Sequence, residues 1–170
     1  MLVAVGAFAQ GQVNFAARVV GVYDAPVFVG KDVATGVRAD GPAYMAQLYA
    51  GATQGNLTPV GAPLPFRTGA AAGYWTATAV TINTVDATGN AFVQVRAWAT
   101  ASGATYEAAL ASGNGFGTSN ILTVKPTTAP DVPATLTGLT SFAISGNVPE
   151  PSIMALGALG GLALLLRRRK

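Results

Sequence analysis

Histidine and cysteine are both absent from this chain, and that decides most of the chemistry open to it. Without imidazole, the commonest general base and metal ligand is missing. A Ser–His–Asp or Cys–His nucleophile cannot be built. Zinc sites of the usual kind and a disulfide framework are excluded as well. Neither Lys31 nor Lys125 has a serine three residues before it, so a Ser-x-x-Lys arrangement is also missing. Carboxylates remain: Glu107 with Asp24, Asp32, Asp40, Asp86 and Asp131. Two of them can in principle serve glycoside hydrolysis, but they are scattered, and the reading is a protein with no catalytic residue, metal or cofactor. Asp24, Asp32 and Asp40 recur at eight-residue intervals and offer oxygen ligands for calcium. They match neither an EF-hand nor a nonapeptide repeat and read as solvated turn residues. Tyr49, Tyr74, Trp75, Trp98 and Tyr106 offer aromatic faces. Trp75 and Trp98 are the candidates for stacking on sugars, weighed against a core role, since aromatic side chains dominate β packing.

The strongest pattern lies in residues 148–170. Residues 153–166 form a stretch of 14 without a charge. As a helix it spans about 21 Å, short of a hydrocarbon core about 30 Å thick. Arg167, Arg168, Arg169 and Lys170 follow directly; such side chains snorkel to the interface and lengthen the effective span. The positive-inside rule keeps these four in the cytoplasm and places everything before Pro149 outside the inner membrane. Pro149 and Pro151 lack N–H donors and suit an extended entry, Pro151 fits a first helical turn, and Glu150 complements a helix N-terminus. Gly157 and Gly161 have the Gly-x-x-x-Gly spacing that lets a partner helix approach closely.

Pro149-Glu150-Pro151, a short apolar helix and a basic end in this order resemble the PEP-CTERM protein-sorting domain. The resemblance covers residues 148–170. It implies recognition at Pro149, Glu150 and Pro151 by exosortase, a membrane protease-transpeptidase, and a destination at the cell surface or outside the cell. It also implies an association with exopolysaccharide; the missing histidine and cysteine point to a structural rather than catalytic role there.

The chain carries a net charge of +3, and the tail holds all of it. Between Gln10 and Asn147 six cations meet six anions. This neutral stretch has no basic patch in sequence, so nucleic acid is not an expected partner. At the other end, residues 2–9 form a short apolar run ending Ala7-Phe8-Ala9, the small-x-small form of a signal-peptidase site. Cleavage is expected before Gln10. The basic n-region is missing, and residues 1–9 read as a truncated signal peptide, either because the start codon is placed too far downstream or because the sequence is cut short.

Between the two signals the composition is Ala, Gly, Thr and Val with few charges. Short β-prone runs separated by turn residues dominate. Strands are expected at residues 12–20, 43–50, 74–83, 91–99 and 120–125, with a short one at 57–60. Pro26 marks residues 26–29 as an edge strand, and Pro63 and Pro65 bound a connection. In residues 91–99, positions 91, 93, 95 and 97 form one apolar face. Residues 105–112 read as a short helix capped by Thr105 and closed by Gly113, followed by a loop over 113–117. The fold class is all-β: a β-sandwich over residues 10–125, then a linker or last strand over 126–147. The stretch 92–124 loosely resembles the last two strands of immunoglobulin-like or fibronectin type III modules. Two functions follow as alternatives to a structural matrix protein: a carbohydrate-binding module, and a hydrolase with a carboxylate pair.

Overall fold

The computed structural model describes residues 10–86 and 89–145. The chain runs through β1 (Gln10–Phe15), β2 (Arg18–Val19), β3 (Tyr23–Asp24), β4 (Phe28–Val29) and β5 (Val37–Arg38). Three long strands follow, β6 (Tyr44–Thr53), β7 (Asn56–Pro65) and β8 (Thr78–Asp86), and then β9 (Ala91–Ala99). The helix α1 (Tyr106–Ser112) precedes β10 (Phe116–Thr118), β11 (Leu122–Val124), β12 (Ala134–Thr135) and β13 (Ala143–Ile144).

The molecule is mostly β, in several sheets. One sheet has the order β12-β1-β8; a larger one has β10-β9-β6-β7, with β11 also on β9. β13-β4-β5 form a third, and β2 and β3 form a hairpin. Alternation explains how the two larger sheets meet. Val13 and Phe15 from β1, and Val80 and Ile82 from β8, point into the same core as Ala46, Leu48 and Ala50 from β6. β9 adds Ala91, Val93, Val95 and Ala97, all buried, as its sequence alternation requires.

α1 forms because its ends are satisfied. The Thr105 hydroxyl accepts from the Ala108 amide, and Gly113 adopts the left-handed conformation at φ 73°. The helix packs on the outer face of the large sheet, where Tyr106 and Ala109 join Tyr49 and Trp98 in a second cluster.

Several expectations change. β4 lies between β13 and β5, in the middle of its sheet and not at an edge; Pro26 precedes the strand and so removes no ladder donor. β7 runs on through Pro63 and ends only at Pro65, well beyond the short strand expected at 57–60. β7 is the edge of its sheet, where a missing N–H can face solvent. The expected loop over 113–117 runs into β10, which pairs Phe116 with Trp98 on β9. Residues 126–145 lie against the sheets. Thr127 exchanges backbone hydrogen bonds with Gln12, and β12 and β13 pair in parallel with β1 and β4. Leu136, Leu139, Phe142 and Ile144 from this stretch are core residues.

Candidate functional site

A cleft of about 360 Å³ opens where the β2–β3 hairpin meets the loop between β7 and β8. Arg18, Val20, Arg67 and Tyr74 line it, with five alanines and the edge of Trp75. Each polar group arrives by a separate route. The hairpin register sets Arg18 opposite Asp24, and the Arg18 Nε lies 3.8 Å from the carboxylate. The Tyr74 hydroxyl donates to the same carboxylate at 2.7 Å. Arg67 and Tyr74 face each other because the Phe66–Trp75 bridge closes the loop between them; the Arg67 amide donates to the Tyr74 carbonyl at 2.8 Å. Arg38 stacks its guanidinium 5.2 Å from the Tyr74 ring centre. Burial pushes the Tyr74 phenol up, and its bond to Asp24 adds to the shift. Arg67 makes no ion pair among the described residues.

The two indoles proposed for sugar stacking are both interior. Trp75 is 3% exposed and Trp98 1%. Trp75 packs between Phe15 and Phe66, at centroid distances of 4.7 and 5.6 Å, and its N–H donates to the Phe15 carbonyl at 3.1 Å. It forms the floor of the cleft, not a platform. Trp98 lies under α1, and its N–H has no acceptor among the described residues. The aromatic residue at the cleft surface is Tyr74, which sequence reasoning placed among five candidates without singling it out.

The second polar cluster sits on the outer face of the large sheet. Arg96 lies 4.1 Å from the Tyr49 ring centre and 5.0 Å from that of Tyr106. The Tyr49 hydroxyl donates to Glu107 at 2.6 Å. Burial and this bond push the Tyr49 phenol far up. Burial alone would raise Glu107, but the Tyr49 bond, its own backbone amide and Arg96 together hold it below the ordinary carboxylate value. Glu107 is therefore an ionised link from α1 to Tyr49 of β6, poorly suited to donate a proton near neutrality.

The early aspartates are engaged singly. Asp24 is held by Tyr74 and Arg18, Asp32 accepts from the Thr35 amide and hydroxyl at 2.8 Å each, and Asp40 accepts from the Gly69 amide at 3.1 Å. Among the described residues no group of three or more potential metal-ligating side chains forms.

The described chain ends in a ladder. Ser145 donates to the Phe116 carbonyl at 3.1 Å and accepts from the Phe116 amide at 3.3 Å. The tripeptide Pro149-Glu150-Pro151 begins four residues later, with the apolar stretch and basic end behind it. Residues 147–170 match the PEP-CTERM protein-sorting motif. The PEP-CTERM motif is the mark of an exported protein sorted by exosortase. Its Pro149, Glu150, Pro151, Arg167, Arg168, Arg169 and Lys170, and the helix expected over 153–166, lie outside the described residues. So do Ala7 and Ala9 of the expected signal cleavage; Gln10 opens β1. Among the described residues no helix is long and apolar enough to cross a membrane. No curated protein and no solved structure matches the chain.

Proposed function

We propose that the chain is an exported protein that exosortase processes at Pro149-Glu150-Pro151 after residues 153–166 have held it at the inner membrane. The product is a β domain delivered to the cell surface or the extracellular matrix, where it acts by contact, without catalysis, in association with exopolysaccharide. One observation carries this reading: the PEP-CTERM motif at 147–170 follows a β domain whose last described ladder residue is Ser145. The lack of histidine and cysteine supports a non-catalytic role. The shared core of the two larger sheets supports a β-sandwich for the domain. Its β9 pairing with β10 and β11 accords with the last strands of an immunoglobulin-like topology.

The test is fractionation of the native host with mass spectrometry of both mature ends. The expected product starts at Gln10, ends near Pro149–Pro151 and is recovered from the surface or the medium. A cytoplasmic protein that retains Lys170 would defeat the reading.

A carbohydrate-binding role is the second reading, and the cleft is what favours it. It is concave, of the size that small ligands occupy, and walled by small side chains with a few polar groups.

A further inference from the structure

We propose that the cleft binds an acidic polysaccharide, seating a uronate-type sugar with its carboxylate on Arg67 and its ring against Tyr74 and the alanine wall. The inference rests on the matrix location proposed above and adds the ligand class and the residues.

Arg67 is the centre of the argument. Its backbone is pinned on both sides: the amide donates to Tyr74 at 2.8 Å and the carbonyl accepts from Gly41 at 3.2 Å. Its side chain is exposed and has no carboxylate partner among the described residues. A guanidinium held at the mouth of a cleft with its donors unused is suited to a planar carboxylate. Arg18 is half engaged, since 3.8 Å to Asp24 is an ion pair but too long for a hydrogen bond. It retains donors for a second contact. The two nearby carboxylates are occupied, Asp24 by Tyr74 and Asp40 by the Gly69 amide. The cleft thus concentrates two arginines in a domain whose charges balance overall.

The wall explains why the ligand is a sugar and not a nucleic acid or a lipid. Alanines leave room for a pyranose ring to approach, and Tyr74 supplies an aromatic surface beside them for its C–H face. A nucleic acid backbone asks for a longer run of cations than the two arginines here. The hairpin tip does expose Val20 and Val22, at 83% and 53%. Two valines form a small apolar edge, which suits the C–H face of a sugar and is far less than a membrane-inserting surface needs.

Affinity electrophoresis of the full chain in non-ionic detergent tests this, through gels containing polygalacturonate, dextran or neither. Polygalacturonate should retard the protein and dextran should not. R67Q should weaken the interaction by roughly tenfold or more, as expected for a lost charge-assisted contact. R18Q should weaken it less. K125Q makes the same charge change on an exposed site away from the cleft and should bind as the wild type does. An unchanged near-ultraviolet signal from Trp75 would show that each variant is folded. Equal losses in K125Q and R67Q, or full retardation of R67Q, would overturn the proposal. So would binding to phosphatidylglycerol vesicles without binding to polygalacturonate. A protein that is processed and exported as expected but not retarded would defeat this inference alone and leave the sorting reading standing.

Discussion

The two tryptophans are equally hidden but differently satisfied, and that makes them unequal in energy. Trp75 donates to the Phe15 carbonyl, whereas the Trp98 N–H has no acceptor among the described residues. Leaving a buried polar group unpaired costs about 1–3 kcal/mol. Trp75→Phe removes a made bond; Trp98→Phe removes a donor with no acceptor among the described residues. Urea titrations should therefore find Trp75→Phe more destabilising, by about 1–3 kcal/mol; equal effects would show that Trp98 is satisfied in solution. Trp75→Ala is no test of ligand binding, because truncating a buried tryptophan costs about 3–5 kcal/mol and disturbs the cleft floor. A second prediction concerns Glu107, whose carboxyl is held below the ordinary value of 4.5. The folded chain thus releases this proton more readily than the unfolded one. The stability gained is present above the ordinary value and is lost as pH falls through the folded one. Melting temperatures of the wild type should exceed those of Glu107→Gln near neutrality, and the gap should close as pH falls below 4.5 and through the lower folded value. A gap independent of pH would mean that the Tyr49–Glu107 bond does not depend on the ionised form. Tyr49 and Tyr106 were legible as aromatic positions, but their shared partner Arg96 was not. That pairing needs β6, β9 and α1 brought together from distant parts of the chain.

At the level of elements, β7 shows how the large sheet manages its open side. An edge strand exposes unpaired backbone groups and invites a second chain. Pro59, Pro63 and Pro65 remove three donors from β7, and its ladder with β6 is interrupted by register shifts that twist the edge. Replacing Pro59 and Pro63 together by threonine should restore donors and raise β propensity. Light scattering should then show concentration-dependent association in the variant beyond that of the wild type, and identical scattering would show that the prolines do not guard this edge. The same strand explains a limit of sequence reading. Proline was read as a boundary because it breaks a central strand, and only the sheet order reveals that the strand is peripheral. β9 and α1 were legible because their signals are local: strict alternation in one, an N-cap and a left-handed glycine in the other. β10 was not, and β12 and β13 only as an undivided linker or last strand, since strands of two or three residues are defined by their partners. Gly117 illustrates this. A side chain there would collide with the Ala143 carbonyl, so the glycine read as a loop residue is required for β10 to pass beside β13. The cleft was hidden for the same reason, because Arg18 and Arg67 meet only through the hairpin and the Phe66–Trp75 bridge.

For the whole molecule, the decisive distance is along the chain between the last ladder and the sorting motif. Ser145 is tied to Phe116 by two backbone hydrogen bonds. Four residues at roughly 3.3–3.6 Å each then allow Pro149 to stand at most about 14 Å from that tie. The start of the apolar stretch at residue 153 can stand no more than about 28 Å from it. If residues 153–166 hold the chain at the membrane as proposed, the β domain would stay close to the membrane surface until release, and Pro149-Glu150-Pro151 would be presented within about 14 Å of a folded edge. An enzyme that grips an extended substrate competes there with the domain itself. Steric crowding from the domain should slow processing, and a longer tether should relieve it. Insertion of a ten-residue Gly/Ser spacer after Ser145 leaves every described contact intact, and such a spacer is flexible. Pulse–chase labelling in the native host should show faster conversion of the spacer variant to the mature form. The substitution Ile144→Asp should act in the same direction by a different route. It buries a charge in β13, loosens the pairing with β4 and frees the chain upstream of the motif. Unchanged conversion in both variants would show that the enzyme reaches Pro149-Glu150-Pro151 without regard to the domain. In that case the short connection would serve only to keep the domain near the membrane before release.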